Sequence, residues 1–187
     1  IPIAKHGNKA LTSKCGSADV LAALGINIDM DTSKLEDCLN EIGLCFMFAP
    51  NHHPAMKYVG PVRQQLGIRT IFNMLGPLLN PASVKTQLVG VYSKDVFKVY
   101  RDIFLKNDNI NACIVSGHNG NDEITLEGEN LIYTKISGEI KFDPASIGLP
   151  RPINNEILGK DAKYNAKRII EIFNGKEDSF FYSVCIN

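Results

Sequence analysis

The 187-residue chain carries no excess of charge: 20 Lys plus Arg balance 20 Asp plus Glu. Nucleic-acid scaffolds are usually basic overall, so that class is disfavoured and any affinity for anions must be local. Long apolar runs are also missing. None approaches the roughly eighteen residues that cross a bilayer. The longest candidate, Cys45-Phe46-Met47-Phe48-Ala49, suits a buried strand. The five cysteines (Cys15, Cys38, Cys45, Cys113, Cys185) are odd in number, and no two have metal-ligand spacing. They read as reduced thiols of a cytosolic protein rather than as a disulfide framework. There is no internal repeat, no low-complexity stretch and no phosphate loop of the Gly-Lys-Ser/Thr spacing. No secretory leader is expected. An initiator Met is absent and Ile1-Pro2-Ile3-Ala4 reads like the end of a strand, so the expectation is a fragment or a processed chain.

What remains is an ordinary globular composition, 44% hydrophobic and 21% charged, sized for one domain or one and a part. Ile1 to Ala4 is expected as a buried strand. Ala18 to Leu24 reads as a short helix closed by Gly25. Thr32 or Ser33 should cap a helix over Leu35 to Ile42, stopped by Gly43. Cys45 to Ala49 follows as a core strand, and Pro54 opens a helix that reaches Leu66. Gly76-Pro77 and Asn80-Pro81 mark turns. Strands are then expected at Thr86 to Tyr92 and Asn111 to Ser116, with an amphipathic helix over Asp95 to Leu105 between them. Ile124 to Leu126, Asn130 to Lys135 and Glu139 to Phe142 read as short antiparallel or edge strands. Ala162 to Phe173 is the clearest helix, with Gly175 past its end, and Phe180 to Ile186 starts another. Alternating strands and helices imply an α/β fold, a central and mostly parallel sheet flanked by helices.

Two blocks carry chemistry. Lys5 to Asp19 packs cations, hydroxyls and glycines into a turn-rich stretch ahead of an apolar helix. Such a loop at the carboxyl end of a strand suits a phosphate: Lys5 supplies charge, Ser13 and Ser17 supply hydroxyls, glycines expose amides, and a helix start adds partial positive charge. A solvated loop with a capped helix explains the same residues. Asp122-Glu123, after a strand and the glycine-rich turn Gly117-His118-Asn119-Gly120-Asn121, has the oxygen donors that Mg²⁺ prefers. A solvated acidic turn is the alternative. His52 and His53 lack a third ligand at zinc spacing, so one of them is expected to cap or pack. His118 is expected in solvent. Arg63 and Arg69 lie on and just past the helix begun at Pro54. One of them suits a substrate carboxylate while the other makes a structural pair, and each alone reads as a surface charge.

These blocks come in the order of a known family. Lys5-His6-Gly7-Asn8, Ser13-Lys14-Cys15-Gly16-Ser17-Ala18-Asp19, Phe48-Ala49-Pro50, His53-Pro54-Ala55-Met56-Lys57, Pro61-Val62-Arg63, Leu66-Gly67-Ile68-Arg69-Thr70-Ile71-Phe72-Asn73, Leu75-Gly76-Pro77-Leu78 and Asn80-Pro81-Ala82 resemble anthranilate phosphoribosyltransferases. Asp122-Glu123 follows where that family's metal carboxylates belong. The resemblance covers most of the chain and is densest from Ile1 to Ala82. It implies transfer of the phosphoribosyl group of phosphoribosyl pyrophosphate to anthranilate in tryptophan biosynthesis, with Mg²⁺, in a cytoplasmic homodimer with no nucleic-acid or membrane partner. By the same resemblance Lys5, His6, Gly7, Asn8, Lys9, Thr12, Ser13 and Ser17 line the phosphoribosyl pyrophosphate. Asn8 and Arg63 hold anthranilate, His6 and Met56 sit near its ring, and Asp122 and Glu123 bind the metal. No covalent or acid–base residue is implied. Residues 1–187 form the α/β domain, with 51–75 packing on a smaller helical domain.

The chain departs from the family pattern in places. Lys9 stands where the family often has Arg, and Cys15 where it often has Ser. The family's first helical layer and its Gly-Thr-Gly-Gly-Asp pyrophosphate loop would precede Ile1, and its last helices would continue past Asn187. Two rival readings stand beside the transferase: a pyrimidine nucleoside phosphorylase-like enzyme, and a catalytically incomplete fragment of the transferase.

Overall fold

The computed structural model describes residues 1–10, 15–68, 70–153 and 157–187. They divide into two compact units, Ile1–Ser83 with Gly159–Ile170, and Val84–Leu158 with Glu171–Asn187.

The first unit opens with β1 (Ile3–Gly7), followed by α1 (Ser17–Ala23), α2 (Thr32–Ile42) and β2 (Leu44–Phe48). β1 and β2 pair in parallel, Ile3 opposite Leu44 and Gly7 opposite Phe48. Side chains alternate across a strand, and here the alternation sorts β2 onto two helices. Phe46 and Phe48 pack with Ala18, Ile28 and Leu21 on the α1 side. Cys45 and Met47 pack with Leu35, Cys38, Leu39, Met30 and Ala4 on the α2 side. β2 is therefore covered on both faces, which is why its sequence is a continuous apolar run. Asp31 caps α2, its Oδ1 accepting from the Lys34 amide at 2.9 Å, in place of the expected Thr32 or Ser33. Ser33 instead donates its hydroxyl to the same carboxylate at 2.8 Å. α3 (Ala49–His52), α4 (Met56–Leu66) and α5 (Phe72–Leu75) follow, then a 3₁₀ turn over Gly76–Leu79. The Asn80 amide ties this segment back to β1 by donating to the Ala4 carbonyl at 3.2 Å. The expected burial of Ile1 to Ala4 does not occur: the strand runs from Ile3 to Gly7, and Ile1 and Ile3 are exposed. Among the described residues β1 pairs with β2 alone, and of its first two residues only Ala4 packs on an apolar cluster.

The second unit contains β3 (Thr86–Gly90), α6 (Lys94–Leu105), β4 (Asn111–Ser116), β5 (Asn130–Thr134) and β6 (Gly138–Phe142). These strands form one sheet in the order β3-β4-β5-β6. β3 and β4 are parallel, joined by α6 as crossover, while β4-β5 and β5-β6 are antiparallel. The α/β class read from the sequence holds, with parallel pairing confined to β1-β2 and β3-β4. α6 starts where Ser93 accepts from the Val96 amide, and it buries Val96, Phe97, Tyr100 and Phe104. That spacing lays one apolar stripe toward the sheet, where α6 packs on β4. α7 (Ala162–Phe173) belongs to the first unit through Ile170, and α8 (Ser179–Ile186) to the second.

Ile124 to Leu126 is not a strand but part of an irregular loop. Its order comes from one side chain. Asn130 is fully buried. Its Oδ1 accepts from the amides of His118 (3.3 Å) and Thr125 (2.8 Å) and from the Thr125 hydroxyl (3.2 Å). Its Nδ2 donates to the carbonyls of Thr125 (3.0 Å), Gly128 (3.3 Å) and Phe142 (3.2 Å). A single amide thus supplies the hydrogen bonds that a strand partner would have given this backbone. Asn130→Ala leaves several buried backbone groups unsatisfied and is expected to destabilise the protein by about 2–4 kcal/mol. Urea denaturation of the variant against the parent measures it.

Candidate functional site

Ligands of α/β sheets bind beyond the carboxyl ends of the strands. In the first unit that edge carries Asn8, Lys9 and Ala10 after β1, and α3 after β2. The loop after β1 folds tightly onto Gly16, where an added Cβ would lie 2.4 Å from the Ala10 nitrogen and 2.8 Å from the Asn8 carbonyl oxygen. Gly7 is equally confined: its Cβ would come within 2.7 Å of both the Phe46 ring and the Ser17 hydroxyl. Lys5 and Gly7 therefore share the face of the sheet occupied by Phe46 and Ser17, and the exposed Lys9 extends its ammonium over the Phe48 ring at 5.6 Å.

Asp19 staples this loop. Its Oδ2 accepts from the amides of Ala10 and Gly16, each at 2.9 Å. These two bonds hold the Asp19 carboxyl below its ordinary value, against its partial desolvation and with help from Lys9. The Lys9 amide donates to Asn8 Oδ1 at 2.8 Å, and the Ala18 amide to the Asn8 carbonyl at 3.3 Å. Of the loop's described amides, those of Lys9, Ala10, Gly16 and Ala18 are engaged within the loop. What points outward is the side-chain set Lys5, Lys9 and Asn8, all exposed, with the half-buried Ser17 beside them. Asp19 stood in the sequence as the end of a motif. An acidic residue three positions after Gly16 can reach back to the amide that opens the helix, which is the acidic half of a capping box.

Behind the loop lies an imidazole group. His6 Nε2 and His53 Nε2 are 3.2 Å apart, with ring centroids at 5.0 Å in a T-shaped arrangement. Burial holds His6 below its ordinary value, reinforced by His53 and His52 and opposed by a hydrogen bond to the Gly76 backbone. Burial also lowers His52, again reinforced by His53, and its Nε2 is buried without a hydrogen-bond partner. Among the described residues no three His, Cys, Asp or Glu side chains are placed to share a metal ion. His53 pairs with His6, and His52 is half-buried beside it in sequence. On α4, Met56 and Arg63 are half-buried, and the Arg63 guanidinium stacks over Phe72 at 5.5 Å from the ring centre. That contact fixes the flat face of the guanidinium and leaves its edge donors for a planar anion. Thr12, Ser13 and Arg69 lie outside the described residues.

In the second unit the corresponding edge carries Asp122 and Glu123. The Gly117 amide donates to the Asn121 carbonyl at 2.8 Å, closing the turn after β4. Asp122 then passes over Gly90 at the end of β3, where an added Cβ would lie 1.6 Å from the Asp122 carbonyl oxygen. Glu123 passes over Gly117, whose Cβ would lie 2.0 Å from the Glu123 carbonyl oxygen. Only glycine at both positions allows the acidic segment to cross the ends of the parallel pair, and both side chains are exposed there. His118 is not in a purely solvated turn. It is half-buried, its ring packs against Gly128, and its charge helps to lower Asp143, behind the Ala145 amide and Arg151.

A pH response follows from the imidazoles. Folding lowers His6 and His52 below 6.5, so below that pH the unfolded chain binds the extra protons first and stability falls. The melting temperature is expected to drop as pH falls below 6.5, and His6→Gln to flatten that drop.

The chain matches the model of the glycosyl transferase family, a/b domain, over residues 1–187. It is 45% identical over 183 residues to an anthranilate phosphoribosyltransferase of Xanthobacter autotrophicus, a match covering 96% of this chain and 53% of the relative. To that of Pelagibacter ubique it is 42% identical over 190 residues, covering 100% of this chain and 58% of the relative. The chain thus spans about half the length of the curated relatives it matches. Among solved structures it superposes on anthranilate phosphoribosyltransferase (TrpD) from Thermus thermophilus with a TM-score of 0.86 and 33% identity, over 98% of this chain and 55% of that one. It superposes on the Saccharomyces cerevisiae enzyme in complex with PRPP and Mg with a TM-score of 0.83 and 32% identity, over 91% and 48% of the two chains. A family match along the whole chain, joined to loops packed on glycines at the carboxyl ends of both parallel pairs, places the protein in the glycosyl transferase family as its a/b domain.

Proposed function

We propose that the protein takes part in transferring the phosphoribosyl group of phosphoribosyl pyrophosphate to anthranilate, releasing pyrophosphate and forming N-phosphoribosylanthranilate. The observation that carries this reading is the loop after β1: Asp19 and Gly16 fix Asn8 to Ala10 at the end of the strand, where Ser17 lies against Gly7 and the exposed Lys5 and Lys9 stand two residues to either side of it. Two ammonium groups and a hydroxyl suit the phosphates of the donor, and the motif resemblance adds Thr12 and Ser13 to them. Arg63, stacked on Phe72, grips the carboxylate of anthranilate through paired N–H donors. Asn8, whose Oδ1 is held by the Lys9 amide, turns its Nδ2 toward the same substrate. His6 and Met56 flank the aromatic ring.

Asp122 and Glu123 fit Mg²⁺. They are hard oxygen donors on a backbone cradled by two glycines, and two carboxylates leave coordination places for water and phosphate oxygens, as this ion prefers. Bound there, Mg²⁺ supplies positive charge that neutralises the diphosphate. The residues of the chain bind and orient both reactants, so that the neutral aromatic amine meets the anomeric carbon as its bond to pyrophosphate breaks. Holding two reactants in register lowers a barrier by about 7–11 kcal/mol in favourable cases. The motif resemblance also supports a cytoplasmic homodimer, with residues 51–75 contributing to a helical layer. No helix among the described residues is long and apolar enough to cross a membrane.

Product formation from phosphoribosyl pyrophosphate and anthranilate, run against phosphorolysis of thymidine, tests the reading. Turnover only of thymidine would replace it with the phosphorylase, and turnover of neither with the incomplete fragment. In the transferase assay Arg63→Ala is expected to raise KM for anthranilate about 10–100-fold with little change in kcat. Replacing both Asp122 and Glu123 with their amides is expected to abolish magnesium-dependent turnover. An unaltered magnesium requirement in that double variant would remove the carboxylates from the site.

A further inference from the structure

The acidic segment is fixed from both ends. On its N-terminal side the Gly117 amide and the Asn121 side chain close the turn, the latter donating to the His118 carbonyl at 2.7 Å. On its C-terminal side the tie comes from 63 residues away. Asn187, at the end of α8, accepts from the Ile124 amide at 2.7 Å through Oδ1 and donates to the Ile124 carbonyl at 2.8 Å through Nδ2. The second Nδ2 proton goes to the Ser183 carbonyl at 2.9 Å, in the last turn of α8. One acceptor and two donors are what a side-chain amide offers on this side, and each is used. The residue gripped is the immediate neighbour of Glu123, in a stretch that belongs to no strand.

We propose that Asn187 is a positioning residue for the cation site. By pairing with both polar groups of Ile124 it orders the backbone that carries Asp122 and Glu123 before any cation arrives. The inference rests on the reading of those carboxylates as Mg²⁺ ligands. Without the clamp, binding must itself order the segment, and immobilising a single residue is enough to weaken affinity about tenfold.

The test uses the full chain and Mn²⁺ alone as the probe. Free Mn²⁺ is counted by electron paramagnetic resonance, and amide exchange at residues 121–125 is followed by mass spectrometry in the metal-free protein. Asn187→Ala is expected to speed exchange across 121–125 and to weaken Mn²⁺ binding about tenfold, with an unchanged far-UV circular dichroism spectrum. Asn187→Gln, which keeps the amide one methylene further out, is expected to fall between it and the parent in both measurements, and it carries the comparison if the alanine variant does not fold. Asp122→Asn with Glu123→Gln is expected to lose Mn²⁺ binding. If that double variant loses Mn²⁺ while the Asn187 variants bind it as the parent does, the positioning role is overturned and the carboxylate reading survives. If the double variant binds Mn²⁺ like the parent, the carboxylate reading fails and takes the clamp's role with it.

Discussion

The close approach of loop backbone to strand ends is the constraint on which the rest depends. In the first unit Gly7 and Gly16 let the loop after β1 lie against α1 and the Phe46 ring. In the second, Gly90 and Gly117 let the acidic segment cross β3 and β4. At each place a methyl group would collide with main-chain or ring atoms, so the functional side chains stand where they do because their neighbours have none. Parallel pairing is what makes this useful, since it brings the carboxyl ends of two strands to one edge.

The two units handle opposite charges by different means. The first offers full positive charges, Lys5, Lys9 and Arg63, while burial holds His6 and His52 below their ordinary values. Its Ala10 and Gly16 amides bond Asp19 and so hold the described part of the loop together. The second unit keeps its two carboxylates exposed and devotes buried polar groups, Asn130 above all, to the backbone beneath them. In both cases a short polar side chain inside the unit does the ordering, and the charged groups outside it do the recognition.

Strong periodicity and clear stop signals made several elements legible. Asn111–Ser116 and Ala162–Phe173 appear with the boundaries the sequence implied, and Gly43 and Gly25 end their helices in left-handed conformations. Local competition decided the misses. Asp31 outcompeted Thr32 and Ser33 as a cap because a carboxylate accepts more strongly from an amide. Ile124 to Leu126 looked extended and apolar, yet its backbone is satisfied by the side chains of Asn130 and Asn187. Those two asparagines could not be read as anchors, because their partners are remote backbone groups that leave no mark at fixed spacing. The motif blocks, by contrast, announced the candidate site, since Lys5, Asn8, Arg63 and the Asp122-Glu123 pair are residue types chosen for what they bind rather than for how they pack.

The contact between His6 and His53 carries one more implication. Their Nε2 atoms lie 3.2 Å apart, so between two neutral rings one must donate and the other accept. A hydrogen on Nε2 of one ring excludes a hydrogen on Nε2 of the other, and the two tautomers are therefore set together rather than ring by ring.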